Sequence, residues 1–190
     1  MANRSNHYEA AFEAYLRAER LAYVATSEQR RALAEVGSLK SVDFVVSPAG
    51  GPTWLVDVKG RRFPSGQAHR SYWKNWATAE DLRSLADWRA RFGPDAEAAL
   101  VFAYHLVADR SPLAADEVFW HRDRPYAFVA VSLADYQPAA RPLSARWGTV
   151  HAPVAEFRRC ARPARLLLGG RQTAALAAAG ALNYAEGDHG

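Results

Sequence analysis

The segment SVDFVVSPAGGPTWLVDVKG, residues 41–60, constrains the fold more than any other stretch of the chain. Two apolar, β-branched runs flank SPAGGP, a Pro/Gly cluster that cannot continue either strand, so the segment predicts a β-hairpin. In the second arm, the apolar Trp54, Leu55, Val56 and Val58 are interrupted by Asp57 and Lys59. Positions i and i+2 share a face of a strand. An acid and a base therefore sit side by side on a surface otherwise built as core. A turn centred on residue 50 sets Asp43 across from Asp57 and places Asp43, Asp57 and Lys59 on one face. Two carboxylates on that face cost energy unless a cation intervenes.

The surrounding pattern supplies helices. Residues 7–23 read as an amphipathic helix with Tyr8, Phe12, Tyr15 and Leu16 at helical spacing, capped by Asn6 or Ser5. Glu9, Glu13 and Arg17 form a charged ladder on another of its faces. Residues 26–36 read as a loop or short helix. Residues 78–92 read as a helix with Thr78 as cap, Asp81 at its third position, and Leu82, Leu85, Trp88 and Phe92 as its buried stripe. Residues 98–107 and 126–133 read as further strands. Beyond 137 only a short helix near EFRRCAR stands out, and 172–183 is an Ala-rich helix candidate before a frayed end. The expected architecture is one α/β domain over 1–170, a mixed sheet flanked by helices, followed by a tail over 171–190.

Composition removes several function classes. With 190 residues, 49% of them apolar and 23% charged, the chain can bury a sizeable core. The single cysteine, Cys160, excludes an internal disulfide framework, and the expected compartment is the cytoplasm. The most apolar run, AALVFAYHLV, is too short to span a bilayer and contains His105, so no membrane partner is expected. The N-terminal MANRSNHYEAAFEAYLRAER is charged early and has no continuous apolar stretch, so it is not expected to act as a secretory signal. There is no GxSxG elbow and no GxxxxGK[ST] loop, and the histidines show no metal-ligand spacing. A net charge of +4 and a pI near 9.4 lean towards a polyanionic partner.

Two Asp and one Lys on one sheet face are the parts that phosphodiester cleavage needs. Hard oxygen ligands hold a divalent cation that neutralises the phosphate and activates water, and a nearby ammonium offsets developing charge. Asp43, a turn, and Asp57-Val58-Lys59 resemble the core of the PD-(D/E)xK nucleases. The preceding helix with Glu9 resembles the helical acid of the archaeal Holliday-junction-resolvase branch, where a Glu lies roughly two turns before a buried Leu, the place held here by Leu16. The opening His7-Tyr8-Glu9-Ala10-Ala11-Phe12-Glu13 also resembles a small bacterial family known by the motif HYExAFE, which brings no established activity. The chain departs from the nuclease pattern in having Val42 rather than Pro before Asp43, and Asp57 rather than Glu.

The resemblance implies a restriction-endonuclease-like α/β core and a metal-dependent endonuclease acting on DNA, with Mg²⁺ or Mn²⁺ as cofactor. It implies Asp43 and Asp57 as metal ligands, the Val58 carbonyl as a third, Lys59 as the catalytic lysine, and Glu9 as a ligand directly or through water. Glu13 is the alternative helix acid. Many enzymes of this type act as homodimers.

A basic, aromatic stretch follows the DxK strand, with no acid between Asp57 and Glu80. Arg61, Arg62, Arg70 and Lys74 are its candidate phosphate contacts, while Trp73 and Trp76 are expected to tuck into the core. A second basic region runs from Arg141 to Arg165 and reads equally as a nucleic-acid track or a solvated surface. The bland reading of Asp57 and Lys59 is an ordinary ion pair. The competing functional reading is a non-catalytic nucleic-acid-binding module on a nuclease-like fold.

Overall fold

A computed structural model describes residues 6–26, 32–34, 37–65 and 73–169 of the chain. The elements run α1 (His7–Ala18), β1 (Tyr23–Ala25), β2 (Ala32–Ala34), β3 (Gly37–Leu39), β4 (Phe44–Val46), β5 (Thr53–Phe63), β6 (Ala77–Thr78), α2 (Ala79–Phe92) and β7 (Ala96–Leu106). After these come β8 (Phe119–His121), β9 (Arg124–Ser132), α3 (Leu133–Ala139), β10 (Arg141–Ser144), β11 (Thr149–His151), α4 (Val154–Cys160), β12 (Arg162–Pro163) and α5 (Ala164–Leu168).

The main sheet has the order β1-β4-β5-β7-β9-β12, with β8 paired to β9. It is mixed. β4 and β5 form the antiparallel hairpin expected from the sequence, with Phe44 opposite Val56 and Val46 opposite Trp54, the register of a turn centred on residue 50. β5 and β7 pair in parallel along eleven residues each, which requires the crossover that α2 provides. β9 returns antiparallel to β7.

Strand alternation divides the core into two layers. Leu55, Phe63, Leu100, Phe102, Tyr104, Val129 and Val131 face α2, α3 and α4 through Leu82, Leu85, Tyr136 and Phe157. The intervening Trp54, Val56, Val58, Val101, Tyr126 and Phe128 face α1 and α5 through Phe12, Tyr15, Leu16 and Leu168. Both faces of the central strands are covered, which is why they read as nearly continuous apolar runs. Asp57 and Lys59 share the parity of Leu55 and belong to the α2 face.

Helix α2 starts and stops where its caps place it. The Asp81 N–H donates to the Thr78 hydroxyl at 3.0 Å, and the Thr78 N–H donates to the Asp81 carboxylate at 2.9 Å, a complete capping box. Gly93, with φ of 99°, ends it. Asn6 caps α1 by accepting from the Tyr8 N–H at 3.1 Å.

Three expectations are corrected. Helix α1 ends at Ala18 rather than at residue 23, because Arg20 turns left-handed (φ 55°) and Tyr23–Ala25 is taken up as β1 against β4. Within 26–36, the described residues Ala32–Ala34 form a strand paired with Gly37–Leu39. Ladder pairing overrides the helical preference of Ala and Leu there. Beyond 137 the short helix expected near EFRRCAR is present as α4, but the chain there is more ordered than expected, forming the end of α3, the three-stranded sheet β10-β11-β6, β12 and α5. The tail over 171–190 lies outside the described residues. No described helix is long and apolar enough to cross a membrane.

One glycine sets how closely α1 approaches the sheet. A Cβ at Gly60 would lie 2.2 Å from Tyr8 Cδ2 and 2.4 Å from its Cγ, near the stem of the side chain, where the ring cannot easily swing aside. Gly60→Ala is therefore expected to push the first turn of α1 off β5 and to cost about 1–3 kcal/mol in urea unfolding. A melting curve unchanged from that of the parent protein would contradict this.

Candidate active site

The edge of β5 creates the site. β4 begins only at Phe44, whereas β5 continues to Phe63, so β5 runs on past its hairpin partner. Asp43, one residue outside the ladder, closes the gap. Its N–H donates to the Val56 carbonyl at 2.9 Å, and its Oδ2 accepts the Val58 N–H at 2.7 Å. The N–H and C=O of one strand residue point to the same side, so the Val58 carbonyl also faces this edge. Asp43 is thus held next to Asp57 by a side-chain bond to the backbone, and not by a regular cross-strand pair.

Around this edge lies a cavity of about 230 Å³ lined by Asn6, Glu9, Lys40, Ser41, Asp43, Asp57, Val58 and Lys59. The hairpin and the DxK strand bring Asp43, Asp57, Val58 and Lys59 together as expected. Glu9 joins them from the opposite face of the sheet. Helix α1 packs against Val56 and Val58, and its first turn presents Glu9 at the open edge, with the Asn6 amide donating to Glu9 Oε1 at 2.7 Å. The geometry separates the two helix acids. Glu13 accepts from Arg17 and from the Tyr23 hydroxyl, one turn away, and does not line the cavity.

The electrostatics of the pocket are strained. Glu9, Asp43 and Asp57 are only 4%, 6% and 7% exposed, too little for water to screen three carboxylates if all were ionised. Burial first, and the Asp57 carboxylate second, push the Asp43 carboxyl well above the usual carboxylate range, against the relief given by the Val58 N–H. Lys59 supplies the positive charge. Burial alone would drive its ammonium to discharge, but Asp57 and Asp81 outweigh that and raise it. Its Nζ lies 2.7 Å from Asp57 Oδ2 and 2.8 Å from Asp81 Oδ2.

Asp81 and Lys40 are the residues that sequence reasoning missed. Asp81 shows in the sequence as the acid of a capping box, which accounts for part of its hydrogen-bonding capacity. In the fold it also receives Lys59 and, at 2.6 Å, Lys40. Burial opposes its charge, yet Lys59, Lys40 and the Thr78 N–H hold its carboxyl below the ordinary range. The chain of contacts Lys40–Asp81–Lys59–Asp57 is the ionic frame of the site. Nothing in the local pattern of residues 38–41 marks Lys40.

The expected phosphate contacts disperse. Arg61 turns inward, donating to the carbonyls of Gly60, at 2.7 Å, and of Trp76, with its guanidinium 3.8 Å above the Trp76 ring. Its two terminal nitrogens are thus taken by the protein's own backbone. Arg62 and Lys74 are exposed, and neither lines the cavity; Arg70 lies outside the described residues. Trp73 packs into the α2-side core as expected. In the second basic region, Arg165 pairs with Glu117, Arg141 lies 3.8 Å from Glu156, and Arg158 lies over Trp73.

The donor set suits a hard divalent cation. It comprises carboxylates and a backbone carbonyl, with no thiolate or imidazole among the lining residues. Among the described residues, no three His, Cys, Asp or Glu side chains are gathered as a ready metal cluster, and Lys59 is the cation that Asp57 meets.

No family model matches the chain, and no curated protein does. Among solved structures, the chain is similar to Hjc, a Holliday junction resolvase from the archaeal hyperthermophile Archaeoglobus fulgidus, at 14% sequence identity and a TM-score of 0.48, over 86% of this chain and 94% of that one.

Proposed function

We propose that the protein is a metal-dependent nuclease of the PD-(D/E)xK type, with a restriction-endonuclease-like core, that hydrolyses phosphodiester bonds in DNA. The observation that carries this reading is the convergence of Glu9, Asp43 and Asp57, all buried, on one cavity with a protonated lysine. A fold keeps such a costly arrangement where a cation and an anionic substrate repay it. Asp43, Asp57 and the Val58 carbonyl are the groups that would hold Mg²⁺ or Mn²⁺, with Glu9 completing the pocket. When bound, such a cation neutralises the phosphodiester and makes water a better nucleophile.

The chain's own groups do the rest. Lys59, already protonated, cannot serve as a base. It offers N–H donors and a positive charge to the phosphate as negative charge grows there. Asp81 keeps that ammonium charged and oriented, so Lys59 retains a partner when it leaves Asp57. Asn6 holds Glu9 at the mouth of the cavity.

Purified protein is expected to bind Mn²⁺ in calorimetry and to cut a panel of linear and branched DNA with Mg²⁺ or Mn²⁺. Asp57→Ala and Lys59→Ala are each expected to lower cleavage by at least about 100-fold, the scale of losing one preorganised electrostatic group, while circular dichroism stays native. A specific observation favours the alternative of a non-catalytic binding module: Lys59 neutralises Asp57 directly. That alternative predicts salt-sensitive DNA binding without cleavage, persisting in Asp43→Ala and Asp57→Ala. Such a result would sink the enzyme reading.

A further inference from the structure

On the α1 face of the sheet, one register row carries Arg62, His105 and Tyr126 side by side on β5, β7 and β9. Neighbours in such a row are about 4.8 Å apart. Helix α1 lays His7 across the row. Its Nδ1 is 2.8 Å from the Tyr126 hydroxyl, and its ring centre is 5.8 Å from that of His105. The His105 and Tyr126 rings are themselves 5.4 Å apart. Arg124, two residues before Tyr126 and so on the same face, hydrogen-bonds the Tyr126 side chain. Arg62 and Arg124 are exposed at the rim, His7 and His105 are half-buried, and Tyr126 forms the floor.

Arg62 on β5 and Arg124 on β9 carry the fixed positive charge of this row, with the His7 and His105 rings and the Tyr126 hydroxyl between them as hydrogen-bonding groups. Two guanidinium groups on one face repel each other, and an anion seated among them relieves that repulsion. The position bears on the candidate active site directly. The first turn of α1 presents Asn6 and Glu9 to the acidic cavity and His7 to this row. Along β5, Arg62 lies three residues past Lys59 and on the opposite face, the one from which α1 presents Glu9 at the open edge. The separation is about 10 Å in an extended strand. That is the span of about three nucleotide steps along a duplex axis.

We propose that Arg62, His105, Arg124 and His7 form an anion seat that receives a backbone phosphate of the DNA, a few nucleotides from the bond cut at Asp43, Asp57 and Lys59. The proposal rests on the nuclease reading and extends it. The seat fixes the register of the strand without reading its sequence, because its contacts are to phosphate. The acidic cavity holds the scissile group, and the cationic row holds the chain that leads to it.

The test is fluorescence anisotropy with a short labelled duplex, Ca²⁺ replacing Mg²⁺, at a series of KCl concentrations. Arg62→Ala and Arg124→Ala are each expected to weaken binding about five- to tenfold. Each should also reduce the slope of log K against log salt by about 0.9, the value of one lost phosphate contact. Arg124→Lys should keep the slope, and Arg91→Ala, at the end of α2, should keep both slope and affinity. Melting temperature and Mn²⁺ affinity should not change in any of them. Wild-type slopes in both alanine variants overturn the seat and leave the nuclease reading standing. An equal loss in Arg91→Ala also overturns the seat, since it would mean a diffuse field. If the wild-type protein shows no salt-dependent DNA binding at all, the seat and the nuclease reading fall together.

Discussion

Asp43→Asn is expected to raise the melting temperature and, in the same protein, to abolish Mn²⁺ binding and cleavage. The Asp43 carboxyl is pushed up by burial and by Asp57, so its ionised form is unwelcome in the fold. An amide in its place can still accept the Val58 N–H through its oxygen, so the bond that locks Asp43 to the β5 edge survives. What disappears is a charge that the pocket penalises. The direction with pH follows from linkage. Above the ordinary Asp value the unfolded chain has released this proton, while the native state still binds it. Native stability therefore falls as pH rises towards the elevated folded value. The advantage of the variant should be absent near pH 3 and should widen from about pH 4 upward. A gain of roughly 1 kcal/mol corresponds to about 2–4 °C in a chain of this size. Added Mn²⁺ should raise the melting temperature of the wild type and not that of the variant. A variant less stable than the wild type at pH 8 would show that Asp43 is a structural residue only.

Asp81→Ala is expected to be the most damaging single change in the site. It strips both lysines of a partner that is 3% exposed and removes the Asp81 half of the α2 capping box, the bond from the Thr78 N–H. Breaking a buried ion pair from one side costs roughly 3–5 kcal/mol, and the lost hydrogen bond adds about 1 kcal/mol. The expected result is a melting temperature lower by roughly 8–24 °C, by the same scale of about 2–4 °C per kcal/mol. Asp81→Asn separates the two roles. Its side-chain oxygen can still accept at the helix start, so most of the cap is kept, but the charge on Lys59 is no longer balanced from α2. That variant should stay folded at 25 °C and should lose cleavage more than DNA affinity. A folded Asp81→Asn protein with parental activity would remove Asp81 from the site. Because the Asp81 carboxyl is held below its ordinary value, its contribution to stability is present above about pH 4 and is lost as pH falls through the depressed folded value.

Much of this arrangement is written locally. The Pro/Gly cluster at 47–52, flanked by β-branched runs, encodes the hairpin, and its register follows from turn position. The Thr78–Asp81 box encodes the start of α2. The buried stripe Phe12, Tyr15 and Leu16 encodes the inner face of α1. The misread elements are those whose form depends on a partner. Tyr23–Ala25 is a strand because β4 offers a ladder, and Ala32–Ala34 because Gly37–Leu39 does. Residues 141–151 are ordered because β10 and β6 flank β11. Ladders of this kind need a partner strand, near in sequence for β2 with β3 and β10 with β11 and distant for β1 with β4 and β11 with β6, and the propensity of single residues carries no trace of the partner.

The same division runs through the site. The sequence by itself determined that Asp57 and Lys59 share a strand face, that Asp43 lies near them across a turn, and that an acid-bearing helix precedes them, because strand and helix periodicities act over a few residues. Tertiary structure decided the rest. It set Glu9, and not Glu13, at the cavity by placing the first turn of α1 against Gly60 at the open edge of β5. It turned Arg61 inward onto Trp76 and left Arg62 outside. It recruited Asp81 and Lys40, from α2 and the approach to β4, into one ionic frame with Lys59. Electrostatic partnership is set by distance in space and by exclusion of water, and a chain acquires both only when its two core layers close on the sheet.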